Sequence, residues 1–150
     1  MTANAKIAIV QGQFCPDGQW LAYSSNETGR YEVYVRPFPE ADARWQISNA
    51  GDAYPRWRHD GRELYYVAAG NRLMSVSIGA DAKTHTVGWG IPKPMFTVAF
   101  AAGASIFAAG AQSRAQYAVA SDGRFLVNVQ VDDPASPINV ILNWDAALKK

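Results

Sequence analysis

Cysteine is almost missing from this chain: Cys15 is the only one in 150 residues. An intrachain disulfide and a multi-cysteine zinc site are therefore excluded. A lone thiol after Phe14 at a strand end reads as a small buried hydrophobe rather than a nucleophile. Histidine is nearly as scarce. His59 falls in a turn and His85 between threonines in a loop, 26 residues away, so both read as solvated side chains rather than general bases. No charge sign dominates, with 14 basic against 13 acidic residues and a net charge of +1. That balance lacks the basic footprint of a nucleic-acid-binding protein. Long apolar runs are also missing. Ile7 to Val10 is too short for a secretory core, and the Ala- and Gly-rich stretch Val98 to Ala111 falls far below membrane-spanning length. The expectation is a soluble, cytoplasmic protein with no membrane partner. No G-x-S-x-G elbow, P-loop or H-E-x-x-H motif is present. The chain reads as a non-enzyme, with no catalytic, cofactor-binding or metal-binding residue to assign.

Aromatic residues, by contrast, are plentiful: five Trp, seven Tyr and six Phe argue for a folded core. The length suits a single domain. Its organising unit is a tight turn opening into an apolar strand, and it occurs three times. The first copy is Phe14-Cys15-Pro16-Asp17-Gly18-Gln19-Trp20-Leu21-Ala22-Tyr23. The echoes begin at Trp57, with Asp60-Gly61, and at Val119, with Asp122-Gly123. Pro16 presets φ at the second turn position, the aspartate bonds its own backbone further on, and the glycine takes up positive φ. Asp17, Asp60 and Asp122 thus read as turn residues, although repetition makes them tempting as acids. The first interval is 43 residues and the second 62. A period near 43 with four short strands is that of a β-propeller blade.

The predicted organisation is one all-β domain over 1–150. Blade 1 covers about 11–50, blade 2 about 51–100, an insertion about 101–116, blade 3 about 117–144 and a tail 145–150. Lys6 to Phe14, Gln19 to Ser25 and Tyr31 to Arg36 read as strands, and Arg44 to Ser48 as a short outer strand. Large residues on both faces of this unit (Trp20, Tyr23, Val33, Tyr34) imply sheets stacked on sheets. In the second unit Leu64 to Val67 and Leu73 to Ile78 are strands, Gly79 to Pro94 a loop broken by Gly88, Gly90, Pro92 and Pro94, and Met95 to Phe100 an outer strand. The insertion holds seven alanines and two glycines, with Ile106 and Phe107 as its only bulky groups. In the third, Phe125 to Val131 and Ile138 to Trp144 are strands, with no fourth.

The run Pro16-Asp17-Gly18-Gln19-Trp20-Leu21-Ala22-Tyr23-Ser24-Ser25 resembles the Pro-Asp-Gly repeats of TolB-like β-propellers. The block Glu32-Val33-Tyr34-Val35-Arg36-Pro37-Phe38-Pro39 and the ending Ile138 to Trp144 resemble the C-terminal blades of such propellers fused to bacterial serine/threonine kinases. The resemblance spans roughly Gln11 to Lys150 and implies a non-catalytic propeller used for protein contacts or sensing. His59 and Ser121 stand where the family has proline, and Ala118 where it tends to have a polar residue. Three units are present where the family has about six.

Three blades cannot close a ring, so the expectation is a half-propeller completed to six blades in a two-fold homodimer. The N-terminal strand around Lys6 to Val10 would be donated to the partner's third blade. A protein or peptide partner would meet the central funnel or the insertion. Trp89, Ile106 and Phe107 are the candidate contact residues, Trp89 in a pocket at the seam between copies. Arg44, Arg56, Arg58 and Arg62 around Trp45 and Trp57 read as blade-edge ion pairs with Asp52, Asp60 or Glu63, not as a nucleic-acid surface. The alternative is a ligand-sensing or accessory propeller fragment of a larger kinase- or peptidase-associated protein.

Overall fold

The computed structural model describes residues 7–40, 43–81, 83–84, 86–100, 115–129 and 139–141. These are all-β, without a helix. The first sheet joins β1 (Ile9–Phe14), β2 (Trp20–Ser25), β3 (Glu32–Pro37) and β4 (Trp45–Gln46) in sequence order. The second joins β5 (Ala53–Trp57), β6 (Glu63–Ala68), β7 (Arg72–Asp81), β8 (Thr86–Trp89) and β9 (Lys93–Thr97), with β8 and β9 both on β7. The third contains β10 (Tyr117–Val119), β11 (Phe125–Val127) and β12 (Asn139–Ile141). Every pairing is antiparallel. The sheets stack face to face as the blades of a partial propeller.

The three turns share one construction. Gly18, Gly61 and Gly123 adopt φ of 73°, 69° and 85°, which a side chain would resist. Each glycine amide bonds the carbonyl three residues back, at 2.8 to 3.0 Å. The aspartate Oδ1 before it accepts from the backbone amide two residues on: Gln19, Arg62 and Arg124. The turns differ in closure. Cys15 and Arg58 donate to the carbonyls five residues on, Trp20 and Glu63, whereas Ala120 donates to Arg124, four on.

That missing residue reverses the third sheet, because side chains alternate faces along a strand. Leu21 pairs with Phe14 and Leu64 with Trp57, but it is Phe125 that pairs with Val119, the third residue of that series. Leu64 is fully buried in the seam between the first and second sheets, whereas Leu126, at the same repeat position, faces outward at 46% exposure. Phe125 and Val127 enter the seam in its place, with Phe125 edge-on to Tyr65 at 5.0 Å and to Phe96 at 5.8 Å.

Two cores result. Trp20, Ala22, Val33 and Val35 of the first sheet meet Trp57, Leu64, Tyr66, Val76 and Ile78 of the second. Tyr54, Tyr65, Val67 and Leu73 on the other face of the second meet Tyr117, Phe125 and Val127. Each large side chain so buried contributes about 1.5–3 kcal/mol.

Three expectations are corrected. Gly79 to Pro94 is not a loop: β7 continues to Asp81 and β8 folds back on it, giving the second sheet a fifth strand. Gly79 and Gly88 pair directly, and Ile78 and Val87 are buried beside them, so the glycines hid an alternating strand pattern. The outer strand β9 begins at Lys93 rather than Met95, its proline tolerated at a sheet edge. The N-terminal strand is not free for donation, since Ile9 and Val10 pair with Ser25 and Ser24 of their own sheet. Residues 101–114, including Ile106 and Phe107, lie outside the described residues, as do His85, 130–138 and 142–150.

Candidate functional site

The inner strands β1, β5 and β10 meet at the hub of the stack. β1 bulges between Val10 and Gln13, and β5 between Ala53 and Arg56. At the bulges Gln11 and Tyr54 take left-handed φ of 58° and 60°, a strain on the order of 1–3 kcal/mol each that the surroundings must hold. Gln11 Oε1 holds both bulges by accepting from Ser24 Oγ and the Tyr54 amide, each at 2.9 Å. Two aromatic donors bridge successive sheets. Trp57 Nε1 donates to the Gln13 carbonyl at 3.1 Å, and the Tyr117 hydroxyl to the Tyr54 carbonyl at 2.8 Å. The Tyr54 hydroxyl faces the side chains of Gln116 and Gln11, its pKa raised chiefly by burial. Beside it the Arg56 guanidinium lies 5.8 Å from the Tyr117 ring centre and donates to the Pro55 carbonyl. Burial lowers its pKa, with only the two tyrosines acting against that.

Sequence reasoning missed this polar ladder although its signal was present. Gln11, Tyr54 and Gln116 stand 43 and 62 residues apart, the intervals of the turns themselves. The hub holds hydrogen-bonding groups and one cation. It positions strands, and among the described residues it contains no nucleophile with a base beside it.

The second feature is a cleft of about 540 Å³ where the first sheet adjoins the second. Its floor is the Ile47–Asp52 segment that crosses from β4 to β5, its wall Tyr66, Met74 and Arg72, and its rim Trp89 and Pro92. Two buried acids lie on the floor side. Glu32, 1% exposed, is satisfied: Arg30 Nε donates at 2.7 Å, Ser48 Oγ at 2.7 Å and the Gly51 amide at 3.0 Å. Asp52 is 2% exposed, and its Oδ1 has no hydrogen-bond partner among the described residues. Burial raises its pKa; Glu32 nearby adds to the rise, and Ser48, the Ala50 amide and Arg30 offset part of it. Tyr66 is itself pushed well up by burial and by the charges of Asp52 and Glu32. Trp89, 43% exposed, borders this cleft within one chain.

The remaining candidates lie apart. Pro16, Asp17 and Gly18 are exposed in the first turn, and His59 and Asp60 in the second. Arg58 bridges Asp60 at 2.5 Å and Glu63 at 2.6 Å, Arg44 pairs with Glu27, and Arg124 with Asp122. Asp52 pairs with none of the arginines around Trp45 and Trp57. Among the described residues no group of three or more His, Cys, Asp or Glu could hold a metal ion, and no helix is long and apolar enough to cross a membrane.

No family model matches the chain, and no curated protein matches it. Among solved structures it is similar to the crystal structure of TolB from Acinetobacter baumannii, at 17% identity and a TM-score of 0.45. That match covers 89% of this chain and 40% of the other, so the chain spans well under half the length of the protein it matches.

Proposed function

We propose that the chain is a non-catalytic interaction module, and that its first partner is a second copy of itself, closing a six-bladed ring. One observation carries this reading: the outer faces of the first and third sheets carry exposed apolar side chains. On the first sheet Ile9 and Phe14 are 62% and 56% exposed, and Phe14 stands edge-on to the exposed Phe38 at 4.8 Å. On the third sheet Leu126 faces outward beside Ala118 and Asn128, over a shallow groove of about 280 Å³. Within the chain each sheet buries such a face against its neighbour, and the same stacking, continued, seats the first sheet of one copy on the third sheet of the other. A two-fold axis generates that contact twice. Contact is face to face, since β1 is already paired in its own sheet.

Light scattering on a sizing column across a dilution series tests this. The expected species has twice the 16.3 kDa chain mass, and Leu126→Glu returns it to a single chain. A native chain that stays single at every concentration overturns the proposal. The cleft beside Asp52 favours a second reading, ligand sensing, alone or as an accessory propeller of a larger kinase- or peptidase-associated protein.

A further inference from the structure

We infer that the hub carries an anion site: a small monocarboxylate seated on the Arg56 guanidinium, between the inner strands β5 and β10.

Arg30, Arg44, Arg58 and Arg124 each pair with a carboxylate. Arg56 is half-buried and pairs with none among the described residues. The groups that act on its charge are Tyr117 and Tyr54, and burial raises the pKa of both hydroxyls, so neither is ionised at neutral pH. A cation drawn out of water without a counter-ion is destabilising, and an anion that reaches it offsets part of that loss.

The guanidinium is also held in place. Nη1 donates to the Pro55 carbonyl at 2.8 Å, and the Tyr117 ring centre lies 5.8 Å away. Tyr117 is itself 3% exposed and tied to the Tyr54 carbonyl. That leaves Nε and Nη2, which bond nothing among the described residues. Neither is a buried atom lacking a partner, so both are open to solvent. These two N–H groups form one side of the guanidinium fork, which takes a carboxylate with two parallel bonds. A cation fixed beforehand loses little freedom on binding.

The balance of charge selects the ligand. No second cation acts on the site among the described residues, so a doubly charged phosphate would leave one charge unmatched. A halide offers no pair of oxygens to the fork. A carboxylate matches both the single charge and the planar geometry. Arg56, Tyr54 and Tyr117 all belong to one chain, so the site does not depend on ring closure.

Titration with acetate and benzoate, followed on the Arg56 Nε–H signal by nitrogen–proton NMR in constant sodium chloride, tests the inference. Benzamide serves as the neutral isostere and inorganic phosphate as the competing anion. A saturable shift is expected with at least one carboxylate, and binding of benzamide and phosphate is about tenfold weaker or more. Arg56→Gln removes the signal and, by calorimetry, the binding. The shift is read on the native protein, so the test stands even if Arg56→Gln disturbs folding. No saturable shift with either carboxylate up to about 10 mM overturns the inference. So does benzamide or phosphate binding as tightly as the carboxylate, or undiminished binding by folded Arg56→Gln.

Discussion

Gly18 and Gly61 occupy the same place in two copies of one turn, but their surroundings differ. A Cβ built on Gly18 meets nothing within 4 Å, whereas one on Gly61 lies 2.7 Å from Cys15 Sγ and 4.0 Å from Pro16 Cδ. At φ of 73° and 69° alanine costs about 1–2 kcal/mol at either site. The stiffer unfolded chain returns about 0.4–1 kcal/mol. Gly18→Ala should therefore destabilise by about 0–1.6 kcal/mol. Gly61→Ala adds overpacking against a thiol that is 4% exposed and held in the seam, a further loss of about 1–3 kcal/mol. Urea unfolding followed by tryptophan fluorescence measures both. Cys15→Ala removes the sulfur, so in that background the penalty of Gly61→Ala should fall to that of Gly18→Ala. The coupling would be about 1–3 kcal/mol. Equal losses for the two glycines in the native background, or a Gly61 penalty unchanged by Cys15→Ala, would refute the idea that the first two turns pack on each other through this contact.

The same burial should silence the thiol. It pushes the Cys15 pKa up to about 12, so about one molecule in ten thousand carries the thiolate at pH 8. A chromogenic disulfide reagent should react at the unfolding rate in the native protein and at once in urea, and rapid native reaction would count against this placement. For Asp52 the sign runs the other way from an ion-paired carboxylate. Its folded pKa is raised above the ordinary 3.8 by burial, with Glu32 adding and Arg30 opposing. Its charge therefore weakens folding at neutral pH, and the penalty fades as pH falls through the folded value toward 3.8. Asp52→Asn should match or exceed the native stability at about pH 7, the gap closing by about pH 4. A variant less stable at neutral pH would contradict that account.

The turns were the most legible part of the chain, because Asp-Gly pairs carry their own backbone chemistry and three of them set a period. The seams were legible only in part. Trp20, Val33 and Tyr34 announced two buried faces, but Leu126 repeats Leu64 in sequence and lies on the opposite face. The difference is a one-residue change in the closure at Ala120, a hydrogen-bond register that composition does not encode. The β7–β8 hairpin was obscured for another reason. Gly79, Gly88 and Gly90 carry the usual signs of a breaker, but the first two pair across an edge where no side chain is needed. The cleft was hardest to foresee. Trp89 was singled out, but Asp52 suggested only a surface ion pair, and its burial with an unmet oxygen depends on packing between the sheets.

The bridging bonds at the hub tie each sheet to the one before it. The Trp57 indole needs the Gln13 carbonyl, and the Tyr117 hydroxyl needs the Tyr54 carbonyl, so each sheet docks on an acceptor built earlier in the chain. The Tyr54 amide likewise donates to Gln11 Oε1. Each seam between sheets is therefore held by a polar clasp at its inner edge as well as by its apolar core.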